Sequence, residues 1–211
     1  MQIKQIYAKY QIMPQLATHM LRVAGVGKLI LAGWKDPIDR DLVIRTLLLH
    51  DMGNITKFNL SDAWQKKMKG ADTTMDLPHW RTVQQEFWDR YGKDTHGATN
   101  AIVSELGQQD VLTVLEQEHT GYATGDESQI LRQSDPAQIF AYCDVRVTPS
   151  GVVPMKERIT DLHKRYGREL SWYDFLYKLE EQIREQTNVN LDKICEKDVE
   201  PFFDELLEYP L

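Results

Sequence analysis

The stretch that decides how this chain folds is Leu47-Leu48-Leu49-His50-Asp51-Met52-Gly53. The three leucines predict a helix that is apolar nearly all round and therefore lies buried at the centre of the molecule. His50 and Asp51 end this helix, where an unpaired imidazole or carboxylate is expensive to bury. Both side chains are ligands of divalent metals, so a metal ion gives a physical reason for their position.

Four other polar residues fall at positions where helical periodicity calls for a hydrophobic residue. They are His19, His96, His119 and Asp144. A lone histidine on an apolar face is more often a hydrogen-bonded core residue than a ligand, but inward ligands on five separate elements are hard to explain by packing. Nitrogen and oxygen ligands without thiolate favour Fe, Mn, Mg, Zn or Ni over a sulfur-bound structural zinc. The pattern predicts one or two divalent metal ions.

Helical periodicity runs along almost the whole chain, and strand signals are scarce. Pro14 can open a helix in which Gly25 and Gly27 indicate close packing against a neighbour. Asp39 or Asp41 can cap the next helix, which Gly53 ends. The other helices are expected at about residues 63–68, 78–91, 96–106, 111–119 (ended by Gly121), 135–147, 154–166, 171–185 and 202–207. The predicted fold is an all-α, single-domain helical bundle.

The chain divides into a core and an extension. Residues 1–170 are expected to form the metal-binding helical core, with a charged, tryptophan-rich helical insertion at about 54–93 that could overhang a pocket. Residues 171–211 are expected to form a C-terminal helical extension that packs on this core.

Composition excludes several classes of function. The formal net charge is −7, and the densest basic group, residues 66–69, is too small for a nucleic-acid footprint, so no nucleic-acid polymer is expected as partner. No apolar stretch approaches a membrane span. Cys143 and Cys195 are too few for a disulfide framework, and Cys143 lies in an apolar run like a core residue. We expect a cytoplasmic protein.

These motifs resemble the HD-domain superfamily of metal-dependent phosphohydrolases. The central signature of that superfamily is similar to residues 47–53, with His19 ahead of it, and its last motif is similar to residues 141–147, which contain Asp144. The resemblance covers roughly residues 15–165. It implies that one metal ion is held by four residues: His19, His50, Asp51 and Asp144. His96 and His119 resemble the two extra histidines of binuclear members and, with Asp51 bridging, would hold a second ion.

Two positions depart from other members of the superfamily. Some mononuclear nucleotidase members carry a glutamate three residues after the motif aspartate, where it acts as a general acid, and here that position is Asn54, which cannot transfer a proton. Cyclic-dinucleotide members carry lysine there and a downstream Gly-Tyr-Pro, whereas here Gly121-Tyr122 is followed by Ala123. The first departure favours the two-metal interpretation, and the second gives no support for a cyclic dinucleotide substrate.

The resemblance implies hydrolysis of a small phosphate ester or anhydride, with a nucleotide as the favoured example, by metal-activated hydroxide. Two metals about 3.5–4 Å apart can lower the pKa of a bridging water and stabilise charge on a phosphoryl group. Asp51 would bridge them. Arg146 is the favoured source of further positive charge, and Lys57 and Arg22 are the others, although a lone basic residue is more commonly part of a surface ion pair. The expected partner is a small phosphorylated metabolite, and a homodimer is left open.

Two other classes of function stay open at this point. Some proteins of the HD fold are similar in their six ligands but bind two irons and oxidise an organic substrate with dioxygen. A non-catalytic module, in which the metal stabilises the fold and the insertion meets a partner, is the third hypothesis. Fold analogy by itself does not separate the three.

Overall fold

The structure is a computed structural model that describes residues 1–61, 76–124 and 126–211, with no side-chain description at 121–124. The described residues form eleven α-helices: α1 (Ile3–Lys9), α2 (Pro14–Ala32), α3 (Arg40–Leu49), α4 (Leu77–Tyr91), α5 (Thr95–Glu105), α6 (Gln109–Thr124), α7 (Asp135–Val145), α8 (Met155–Tyr166), α9 (Asp174–Gln186), α10 (Glu196–Val199) and α11 (Phe203–Leu207). They also form short 3-10 helices at Asn54–Lys57, Glu127–Arg132, Leu170–Tyr173, Leu191–Lys193 and Glu200–Phe202. The predicted all-α bundle is confirmed.

A single antiparallel hairpin interrupts the helices in the described part of the chain. Its strands are β1 (Val147–Thr148) and β2 (Gly151–Val152), with Val147 opposite Val152. Among the described helices, none is both long enough and apolar enough to cross a membrane.

Helices α2 and α3 form the centre of the bundle. Leu47, Leu48 and Leu49 are fully buried, as the leucine run predicts. A methyl group on Gly27 would lie 2.1 Å from Cδ1 of Leu47, and one on Gly25 would lie 2.8 Å from Cβ of Val199 in α10. Both glycines therefore allow neighbouring elements to approach α2 closely, which confirms the prediction.

The helix before the His-Asp pair ends earlier than predicted. Asp39 caps α3 by accepting a hydrogen bond from the amide of Leu42, at 2.9 Å, but the helix ends at Leu49 and not at Met52. The chain then turns through i→i+3 hydrogen bonds, such as that from the Asn54 amide to the Asp51 carbonyl at 3.0 Å, into the 3-10 helix 54–57. This tighter winding directs His50 and Asp51 to one side of the helix end.

The segment between α3 and α6 agrees in part with the prediction. Helix α4 matches the pattern predicted after Pro78, with Val83 and Phe87 buried and Asp76 as its cap. The helix predicted at 63–68 lies outside the described residues. Helix α6 does not stop at Gly121 but continues to Thr124, since a glycine alone does not end a helix whose backbone hydrogen bonds continue.

Candidate metal centre

Three elements bring four ligand residues to one place. His19 lies in α2, His50 and Asp51 form the turn after α3, and Asp144 lies in the last turn of α7. In the described residues, His19, His50 and Asp51 form a group whose ligand atoms all lie within 4.8 Å of one another. Oδ1 of Asp144 lies close to the Nε2 atoms of both His19 and His50, so Asp144 lies beside this group.

The distances between the ligand atoms suit a divalent cation. Nε2 of His19 lies 3.0 Å from Oδ1 of Asp144 and 3.4 Å from Oδ2 of Asp51. Nε2 of His50 lies 3.5 Å and 3.7 Å from the same two oxygens, and 3.3 Å from Nε2 of His19. Ligands about 2.1 Å from one ion are about 3.0 Å apart in octahedral geometry and about 3.4 Å apart in tetrahedral geometry. The ligand atoms of His19, His50 and Asp51 therefore fit one metal ion, and Asp144 lies within 3.5 Å of both imidazole nitrogens as a further ligand candidate.

The backbone of α3 orients His50. Its Nδ1 donates to the carbonyl oxygen of Leu47 at 2.8 Å, which leaves the lone pair of Nε2 for the cluster. Only 2% of the His50 side chain is exposed. Its ring also lies against Phe140, with 5.2 Å between ring centroids, so packing on α7 limits its rotation.

The electrostatics of the cluster favour positive charge. Burial opposes the charged form of His50, but the carboxylates of Asp51 and Asp144 outweigh this and raise its pKa to about 9. Burial also opposes ionisation of Asp144, but hydrogen bonds from His19 and His50 hold the pKa of Asp144 well below its ordinary value. A proton and a metal cation therefore compete for the same imidazole nitrogen of His50.

His96 and His119 form a second pair on the wall of the same cleft. They belong to α5 and α6, and their ring centroids lie 3.9 Å apart with the planes inclined by 36°. Nδ1 of His119 is buried without a hydrogen-bond partner among the described residues. Burial and the neighbouring His119 lower the pKa of His96, so the His96 ring is suited to act as a neutral ligand.

Three of the four clustered ligands, His50, Asp51 and Asp144, line a cleft of about 500 Å³. Other side chains that can contact a substrate line the same cleft. Lys57 lines it, is exposed, and forms no ion pair within the described parts of the chain. Asn54 and Asn100 also line the cleft. A volume of this size accommodates a small metabolite.

The structure places Arg22 away from the cleft lining. Its Nε donates to Glu196 at 2.6 Å, and the other oxygen of this carboxylate accepts from the amide of Val152 at 3.0 Å. Arg22 therefore ties α2 to the C-terminal segment, as an ordinary structural ion pair does.

The role predicted for Arg146 needs correction. Its side chain is completely buried. It donates to the carbonyl oxygens of Leu191 and Ile194, both at 3.1 Å. It also donates to the carbonyl oxygen of Val153 and to the hydroxyl oxygen of Tyr142. Residues two apart on a helix point about 200° away from each other, so Arg146 faces away from Asp144. It anchors the C-terminal segment to α7 and does not line the cleft.

Some features of the site were not predicted from the sequence. A methyl group on Gly53 would lie 2.6 Å from the amide nitrogen of Thr99, and the Gly53 amide donates to Oγ1 of Thr99 at 2.9 Å. This contact holds the His-Asp turn against α5. In the sequence, the only sign of it is the glycine that follows the motif. Tyr166, 67% exposed, lines the cleft from the end of α8, and no sequence pattern indicates that.

Comparison with known proteins gives one family. The family model of the HD domain matches residues 16–146, which is more than half of the chain. This range contains all six predicted metal ligands. The searches of curated proteins and of solved structures gave no match.

Proposed function

The chain belongs to the HD-domain family, whose members are typically metal-dependent phosphohydrolases, and we propose that it hydrolyses a small phosphate ester or anhydride such as a nucleotide. One observation carries this proposal. The imidazole nitrogens of His19 and His50 each lie 3.0–3.7 Å from carboxylate oxygens of Asp51 and Asp144, beside a cleft of metabolite size.

The four clustered residues would share one task. His19, His50, Asp51 and Asp144 would hold the first ion, with His50 fixed in position by the Leu47 carbonyl. A divalent ion bound there supplies Lewis acidity and lowers the pKa of water. The two carboxylates balance the charge of the ion in a partly buried site.

A second ion would be held by His96 and His119, with Asp51 shared between the two ions. The unpartnered Nδ1 of His119 supports this assignment, because a buried ring nitrogen without a hydrogen bond is costly unless a ligand satisfies it. The close approach of the two rings also supports it.

Lys57 would bind the substrate phosphate. It stands in the 3-10 helix directly after the His-Asp turn and lines the cleft without a carboxylate partner in the described residues. A free ammonium group can attract a phosphoryl group and neutralise the charge that grows on its oxygens. This takes over the task that the sequence assigned first to Arg146.

Metal content and turnover test the proposal together. Protein purified without chelators should contain one or two divalent ions per chain, and it should release phosphate from at least one member of a panel of phosphorylated metabolites. His19→Ala and Asp51→Ala should lose both metal and turnover. His79→Ala is the matched control, since His79 is exposed on α4 and lies outside the cleft lining.

Two results would count against the proposal. A mixed-valence diiron spin-resonance signal with no phosphate release from any compound would favour the oxygenase hypothesis. Full metal occupancy in Asp51→Ala together with unchanged turnover would show that the cluster is not the active centre.

A further inference from the structure

Asn54 is a buried polar side chain that the metal site does not use. The residue is only 4% exposed, yet it lines the cleft together with His50 and Asp51. Its backbone amide donates to the Asp51 carbonyl at 3.0 Å, which fixes the residue just beyond the His-Asp turn. Within the described ranges its side-chain amide forms no hydrogen bond to protein, and it is not among the fully buried groups without a partner, so it is open to the cleft.

The side-chain amide of Asn54 can form hydrogen bonds with a molecule in the cleft. A carboxamide offers two N–H donors and one acceptor. The side of the amide that is open to the cleft can meet only solvent or a ligand. Asn54 is therefore placed to donate a hydrogen bond to an oxygen of the bound substrate.

We propose that Asn54 is a further catalytic residue, whose N–H donates to the leaving-group oxygen and so limits the enzyme to leaving groups that depart as weakly basic anions. This inference rests on the proposed phosphohydrolase function. An amide stabilises negative charge but cannot give up a proton at neutral pH, unlike a carboxylic acid at the same position. Phosphoanhydrides and acidic aryl esters are then good substrates, and alkyl phosphate esters are poor ones.

The bond changes balance without a proton donor at Asn54. The oxygen of water forms a new bond to phosphorus, and one proton of that water passes to solvent. The bond from phosphorus to the leaving oxygen breaks, and its electron pair stays on that oxygen, which departs as an anion. The N–H of Asn54 and the nearby ammonium of Lys57 both stabilise this anion without transferring a proton.

A series of substituted phenyl phosphates tests the inference on the wild-type protein. The phenols are chosen to become steadily less acidic, and kcat/KM is measured for each with the same metal. We expect kcat/KM to fall steeply along the series, by about 100-fold or more, which is the contribution that a general acid usually supplies. A nucleoside triphosphate should likewise be preferred by about 100-fold over the corresponding monophosphate, whose leaving group is an alkoxide.

Asn54→Asp supplies the missing acid in a side chain of the same size. It should raise kcat/KM for the least acidic phenol by about 100-fold relative to the most acidic one, so the dependence on the leaving group flattens. Asn100→Asp is the matched control, because Asn100 lines the same cleft and gains the same charge. It should keep the steep dependence. Metal content by elemental analysis shows whether each variant retains the centre.

The outcomes separate this inference from the proposed function. Wild-type turnover that hardly depends on the leaving group would overturn the role of Asn54 and leave the hydrolase proposal standing. An Asn54→Asp protein with full metal and an unchanged steep dependence would do the same. Failure of the wild type to hydrolyse any of these compounds would overturn both. If Asn54→Asp does not fold, the wild-type series decides alone.

Discussion

Raising the pH should destabilise the metal-free protein and leave the metal-loaded protein unaffected. In the metal-free chain the carboxylates of Asp51 and Asp144 hold a proton on His50, whose pKa is raised to about 9. A group with a raised pKa stabilises the folded state below its unfolded pKa, and this stability is lost as the pH rises through the folded value. The loss should therefore fall between pH 6.5 and 9.

The raised pKa of His50 sets the size of the effect. At about 1.4 kcal/mol for each pH unit between 6.5 and 9, the free energy of unfolding should drop by about 3 kcal/mol. For a chain of 211 residues this corresponds to a decrease in Tm of about 6–12 °C. A bound metal replaces the proton and keeps the charge in place, so the loaded protein should lack this decrease.

Scanning calorimetry of chelator-treated protein measures the decrease directly. The range starts at pH 6.5, because the lowered pKa of His96 costs stability at more acidic pH. The range ends at pH 9, because buried tyrosines also reduce the stability of the folded state above about pH 10. Tyr10, whose pKa is raised to about 12, is one of them. His50→Gln should remove the decrease, and His163→Gln, a change at an exposed histidine, should keep it.

Two results would refute the reasoning. The first is a metal-free wild type with the same Tm at pH 6.5 and 9. The second is an equal decrease in His50→Gln, which would show that the proton is held elsewhere. Metal titrations give an independent check, since the apparent affinity should rise about tenfold per pH unit below pH 9, as binding displaces one proton.

Three substitutions make further predictions. Arg146→Met should lower the free energy of unfolding by about 3–5 kcal/mol, measured by urea denaturation, because it leaves buried carbonyl groups without donors. Gly53→Ala should cost about 1–3 kcal/mol in the same assay, since its methyl group would meet the backbone of Thr99 at 2.6 Å, and unchanged stability would contradict the tight contact. Lys57→Met should reduce kcat/KM for phosphate release by about 100-fold while metal content stays constant. Lys4→Met, at a residue that lies outside the cleft lining and pairs with Glu208, should change neither.

Much of the fold follows from local patterns. The leucine run predicts a central helix because a segment that is apolar all round can only be buried, and Leu47, Leu48 and Leu49 are fully buried. The ends of elements follow less well, since α3 ends at Leu49 where a 3-10 turn takes over. Competing hydrogen bonds of nearly equal energy decide such ends, and residue types hardly distinguish them.

The sequence determined which side chains can hold a metal, because imidazoles and carboxylates at apolar positions of a helix need a compensating charge. Only the tertiary structure decided which cation faces the cleft. Along the chain Arg146 is the favoured residue and Lys57 one of the others, yet Arg146, directly after α7, is buried in the core and takes two of its partners from a segment about 45 residues away. Lys57 stays in the cleft without a carboxylate partner in the described residues. Charge is a property of the residue, whereas its direction and its partners depend on contacts between distant parts of the chain, which a sequence pattern does not encode.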